Sequence, residues 1–207
     1  MKDQLRRLYA QNHNPVAFLD ESYELVEEQT FYILACAVVK PEFLIQTRVA
    51  LASYYGGEAM HAAPMFDRRE IESLRGGIEL AAKQHDGMDL VVQVPVESTD
   101  PRGQRARRQC LEFLAPLVHE DEGTTLFVLD ALNNSRAVRE DRFTFSDLRR
   151  SGLLSRDVTE LHVRPSVEPV LALPDLLAWS YRQRVIGKDA TWFSPLEGAT
   201  RVRQIGA

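Results

Sequence analysis

Val16-Ala17-Phe18-Leu19-Asp20-Glu21-Ser22, followed by the apolar run 31–39, decides the fold of this chain. Neither run alternates strongly between apolar and polar positions, so both read as strands of a sheet that is covered on each face. The first strand is expected over 16–20, with Asp20 at its tip and 21–30 as an acidic, turn-like connection. A carboxylate at the end of a buried strand is held rigidly yet can face solvent. Such a group can grip a metal or a reacting atom.

Outward from this pair, strand and helix patterns take turns. Leu5, Leu8 and Tyr9 give a short lead-in helix over 2–10, and Pro41 suits the first turn of a helix over 42–55. Ile71, Leu74 and Ile78 fit a helix over 68–84, and 90–96 reads as a third strand. Asp100 or Thr99 as cap and Pro101 at the first position open a helix over 101–119. A fourth strand, 124–129, ends at Asp130, and 131–142 reads as a loop centred on Asn133-Asn134-Ser135. The stretch 160–164 suits a short edge strand. An apolar helix spans 169–186, kinked or started late by Pro174. No repeat or low-complexity linker interrupts the 207 residues, so a single α/β domain with a mixed central sheet flanked by helices is expected.

Composition narrows the function classes. A net charge of −5 is not that of a protein that coats nucleic acid non-specifically. It leaves room for a nuclease, because divalent ions offset an acidic site. Only Lys2, Lys40, Lys83 and Lys188 among the 25 basic residues are lysines. Arginine suits phosphate gripping, although a GC-rich genome yields the same bias. Cys36 and Cys110 are too isolated to build a thiolate metal site and read as buried thiols. The stretch MKDQLRRLYAQNHN lacks the apolar core of a signal peptide, and no run nears the roughly 18 apolar residues of a membrane span, so a cytoplasmic protein is expected.

Chemistry concentrates in carboxylates. Phe18-Leu19-Asp20 and Val128-Leu129-Asp130 end their strands alike, and Asp175 lies inside Leu171-Ala172-Leu173-Pro174-Asp175-Leu176-Leu177-Ala178-Trp179. A carboxylate among such neighbours must be paired, protonated, exposed at an edge or on a metal. Together, two strand-end acids and a helix acid would make a hard-oxygen site for Mg²⁺ or Mn²⁺. Taken singly, each has a plainer reading as a turn residue or helix cap.

At these residues the chain resembles the family called domain of unknown function 3800, whose members are similar to ribonuclease H in fold. Phe18-Leu19-Asp20-Glu21-Ser22 resembles its Asp-Glu-Ser-Gly opening, with Tyr23 in place of the Gly. Val128-Leu129-Asp130 resembles its strand-end acid, and 173–179 its C-terminal helix, with Pro174 in place of the usual Ala before Asp175. The resemblance spans about 16–186. It implies a ribonuclease-H-like nuclease in which Asp20, Asp130 and Asp175 bind the metal and Glu21 is a further ligand or a support.

Glu58 and His61, in Glu58-Ala59-Met60-His61, loosely resemble an acid–His pair of the same family. His61 could shuttle protons near neutral pH and Glu58 could be a fourth acid, against the plainer reading of surface loop residues. Arg136 and Arg139, with Arg142, follow Asp130 and could reach a nucleic-acid backbone. A second run, Arg102, Arg105, Arg107 and Arg108, shares one helix; both runs could equally be solvated faces. His13, His85, His119 and His162 have no partner at metal spacing and read as structural or exposed. No phosphate loop, dinucleotide fingerprint or nucleophile elbow is present. The expected function is a metal-dependent nuclease acting on nucleic acid. The rivals are a non-catalytic ribonuclease-H-like binding module and an oligomer subunit that uses helix 170–186 as its interface.

Overall fold

A computed structural model of the chain describes residues 2–26, 29–84, 89–97, 99–100, 103–131 and 135–206. The architecture is α/β: a six-stranded mixed sheet with helices on both faces, in strand order β5-β4-β1-β2-β3-β6. In chain order the elements are α1 (Lys2–Gln11), β1 (Val16–Val26), β2 (Gln29–Val39), α2 (Pro41–Tyr54), α3 (Ala62–Asp67), α4 (Ile71–Lys83) and β3 (Asp89–Pro95). There follow α5 (Gln104–Glu122), β4 (Leu126–Asp130), α6 (Ser135–Arg150), β5 (Thr159–Val163), α7 (Ala172–Val185), α8 (Ser194–Glu197) and β6 (Thr200–Gln204).

β1 pairs antiparallel with β2 along its whole length and parallel with β4 only from Val16↔Leu126 to Leu19↔Leu129. Beyond Leu19 the β1–β2 arm continues alone. From this point the chain leaves β1 toward β2 on one side and leaves β4 toward β5 on the other. In an open α/β sheet, the crevice at the carboxyl ends of two such strands is where ligands bind. Asp20 and Asp130 stand at such a point of the sheet.

Side-chain parity divides the core. Val16 and Phe18 of β1 and Val128 of β4 face a layer that includes Leu74, Ile78, Leu176 and Trp179 of α4 and α7. Ala17, Leu19 and Leu129 face the opposite layer, with Cys110, Leu111 and Leu114 of α5 and Phe145 and Leu148 of α6. Both cysteines are buried and free, as their apolar settings imply.

The sheet departs from the sequence reading in several places. Asp20 is not at a strand tip: β1 runs on to Val26 and β2 starts at Gln29, so most of the expected turn is ladder, while residues 27 and 28 lie outside the described residues. The β-favouring Tyr23, Tyr32 and Phe31 pair across the hairpin and outweigh the local acidity. The helix expected over 68–84 forms as α4, starting at Ile71; a separate short helix, α3, precedes it, and Arg69 between the two takes φ 61°. The expected loop 131–142 becomes helix from Ser135, because Ala137, Asp141, Phe145 and Leu148 form one buried stripe; Asn133 and Asn134 lie outside the described residues. α5 starts at Gln104, where the Asp100 carboxylate accepts the backbone N–H groups of Gln104 (2.9 Å) and Arg105 (2.8 Å). Pro101 and Arg102 lie outside the described residues, as do His85, Asp86 and Gly87. The edge strand near 160–164 matches expectation, and the helix expected over 169–186 starts late, at Ala172, with Pro174 in its first turn and a 3-10 turn over Pro169–Leu171 before it. β6, paired parallel with β3, was not anticipated.

Candidate carboxylate site

Asp20 and Asp130 follow the last paired residues of the β1–β4 ladder, Leu19 and Leu129, and so share a face. That face is covered by α7, and Asp175 lies in the first turn of this helix. Asp20 is 7 % exposed, while Asp130 and Asp175 are partly buried. The carboxyls of Asp20 and Asp175 hydrogen-bond each other. Backbone also holds one oxygen of each: Asp20 Oδ1 accepts from Glu21 N at 2.8 Å, and Asp175 Oδ2 accepts from Ala62 N at 2.7 Å. The acids separated by up to 155 positions in sequence therefore meet, as the sequence reading requires.

Their electrostatics are those of like charges out of water. Burial, reinforced by Asp175, Glu21 and Asp130, pushes Asp20 well above the usual carboxylate range. Burial lifts Asp175 to about 6, with Asp130 adding to the rise. Asp130 is also raised, by burial and then by Glu21. His61, half-buried at the head of α3, offsets part of this: its positive form favours ionisation of both Asp130 and Asp175. Such a cluster needs positive charge from outside itself, as protons or as a cation.

Glu21 has a different setting. Parity turns it to the opposite face, where its Oε2 accepts from Arg107 Nη1 at 2.6 Å. Arg107 is buried, donates through Nη1 to the Tyr32 hydroxyl at 2.9 Å, and grips Asp141 through Nε and Nη2, both at 2.8 Å. His162 completes the chain, with Nε2 to Asp141 Oδ2 at 2.8 Å. Burial works against the Asp141 charge, but the bonds from Arg107 and His162 outweigh it and hold the carboxyl below its usual range. Arg107 is thus no solvated or phosphate-facing residue, and His162 is buried and engaged. The signal was present in the sequence: Arg107 shares a helical stripe with Leu111, Leu114 and Val118, and Asp141 shares one with Ala137, Phe145 and Leu148. A charge on a buried stripe has to find a partner.

Glu58 is exposed in the segment before α3. Arg136 pairs with Glu140 at 2.8 Å on the outer face of α6, and Arg139 is exposed one turn further on. Among the described residues, no three or more His, Cys, Asp or Glu side chains are placed to hold a metal ion as they stand. No helix of the described residues is long and apolar enough to cross a membrane. A scan against protein-family models gives no match for this chain, and none of the curated proteins matches it.

Proposed function

We propose that the chain is a ribonuclease-H-like, metal-dependent nuclease or a related phosphoryl-transfer enzyme. The single observation that supports this most is the meeting of Asp20, Asp130 and Asp175 at the crevice where the β1–β4 ladder ends, with Asp20 and Asp175 bonded to each other and all three pushed toward the protonated form. The donor set is carboxylate oxygen throughout, the ligand type that hard divalent cations take. It also carries the excess negative charge that such an ion neutralises. Asp20, Asp130 and Asp175 would hold Mg²⁺ or Mn²⁺. The ion supplies a bound water of lowered pKa and a counter-charge for the phosphodiester.

The chain's own residues do the rest. The ladder fixes Asp20 against β2, and the Ala62 N–H fixes one oxygen of Asp175, so the acids are oriented before any ligand arrives. His61 lies beside Asp130 and Asp175 and can carry a proton to the leaving oxygen. Glu21, tied to Arg107, acts as a support rather than as a ligand. Arg136 and Arg139 stand on the helix that follows Asp130 and face solvent, where a phosphate backbone can reach them. Glu58, exposed before α3, is kept as an assisting acid.

A second reading, a non-catalytic binding module, is favoured by one observation: the acids as they stand are not arranged around a cation. Two measurements separate the readings. Calorimetric titration with Mn²⁺ is expected to show millimolar or tighter binding that Asp20→Asn or Asp130→Asn removes. Cleavage of a panel of single- and double-stranded DNA and RNA in Mg²⁺ is expected to fall to background in the same variants, with the far-UV spectrum unchanged. Cleavage at the wild-type rate by either variant would remove the assignment, and wild-type protein without Mn²⁺ binding would leave only the module.

A further inference from the structure

On the face opposite the acids, α5 and α6 leave a cavity of about 450 Å³ between them. Its lining includes the Arg107–Asp141 pair, and Gln104, Arg108, Thr144, Glu140 and Asp147 contribute polar groups, Arg108 lying 3.5 Å from Asp147. Phe143 stands at the mouth and is 61 % exposed, although the neighbouring Phe145 is fully buried in the core. One turn toward the start of α6, on the same side as Phe143, is Arg139; it is exposed and makes no ion pair among the described residues. The cavity is not remote from the acids. Arg107 reaches from its lining to Glu21, the residue next to Asp20, and α6 begins at Ser135, five residues after Asp130.

The chemistry of this recess is specific. A flat aromatic face is open to solvent, a cavity with hydrogen-bonding walls lies beside it, and a guanidinium sits one helical turn away. A planar heteroaromatic ring can stack on Phe143 while its polar edge meets the walls, and an anion attached to that ring can meet Arg139. Bases inside a duplex are stacked on each other and cannot present a face, whereas unpaired bases stack readily on aromatic side chains. We propose that the α5–α6 cavity binds one unstacked base of a single-stranded nucleic acid on Phe143, with Arg139 on the adjoining phosphate, and so leads the strand to the carboxylate site. The proposal rests on the nuclease reading for the strand's destination, and names single strands as its substrate class.

The test uses the full chain in EDTA, with short DNA and RNA oligonucleotides that carry 2-aminopurine, in single-stranded form and annealed to a complement. Wild-type protein is expected to quench the single-strand fluorescence and to bind single strands at least about tenfold more tightly than duplex. Phe143→Ala is expected to lose the quenching and about tenfold in affinity, whereas Arg139→Ala weakens binding and keeps the quenching. Asp130→Asn is expected to quench like wild type in EDTA and, in a separate titration without chelator, to lose Mn²⁺ binding. Both helix positions tested are exposed, so the core is untouched. Equal binding by Phe143→Ala, a preference for duplex, or no binding by wild-type protein overturns the proposal. Because no metal is present, any of these results leaves the carboxylate assignment to be judged by its own Mn²⁺ titration.

Discussion

The two faces of β1 carry acids one residue apart and treat them oppositely. Glu21 meets a buried guanidinium that is itself locked to Asp141, and the far end of that chain is His162. Asp20 meets Asp175 and Asp130, more of its own kind. On the α5–α6 side Arg107 and Asp141 are each other's counter-charge, and Glu21 and His162 are bonded to them, which is the arrangement a fold needs to tolerate buried ions. On the α7 side the carboxyls crowd together and are pushed toward the protonated form, which disfavours their ionisation in the folded chain. The comparison separates acids whose charge is balanced by cationic neighbours from acids that crowd against one another.

Removing the cation of the supporting set should have the largest effect. Arg107→Met leaves the buried Asp141 with only His162 and deprives Glu21 of its ion pair, and is expected to cost about 3–5 kcal/mol in urea unfolding. If that variant unfolds at the wild-type midpoint, the distinction between the two faces fails.

The carboxylate side should respond in the reverse sense. Asp175 titrates near 6 when folded, so the folded chain holds this proton more tightly than the unfolded chain does, and stability falls as pH rises from about 4 through about 6. Without added metal, Asp175→Asn removes this residue's share of the decline. It is expected to exceed wild type by about 1–3 kcal/mol near pH 7.5 and to match it near pH 4. A wild-type midpoint that holds steady over this range while the variant gains nothing would show the acids to be compensated after all.

The smallest change sharpens the contrast by its absence. Arg136 and Glu140 form an exposed pair one turn apart, and Arg136→Ala is expected to alter stability by less than about 0.5 kcal/mol. A larger loss would mean that surface pairing on α6 carries weight here assigned to Arg107.

The sequence told of the strands and the acids more readily than of what surrounds them. Runs such as 31–39 and 126–129 are apolar enough that only a buried sheet accommodates them, and an acid closing such a run stands out. That Asp20 continues into a longer hairpin was hidden, because Glu21 to Tyr23 look polar while their pairing with β2 is long-range. α6 was hidden by its charge: its outward arginines, Arg136, Arg139 and Arg142 among them, suggest a loop until the stripe through Asp141 is traced. β6 is short, with arginines at alternate positions, and owes its place to β3 rather than to its own propensity. The Arg107–Asp141–His162 chain joins three elements, and nothing local in any one of them announces the other two.

The strand alternation that sends Asp20 and Glu21 to opposite layers makes residue count a form of address. Loss or gain of one residue between Val16 and Leu19 would deliver an aspartate to the guanidinium and a glutamate to the helix above the crevice, while leaving composition almost unchanged. Length in this short segment is therefore under tighter constraint than the identity of most side chains within it.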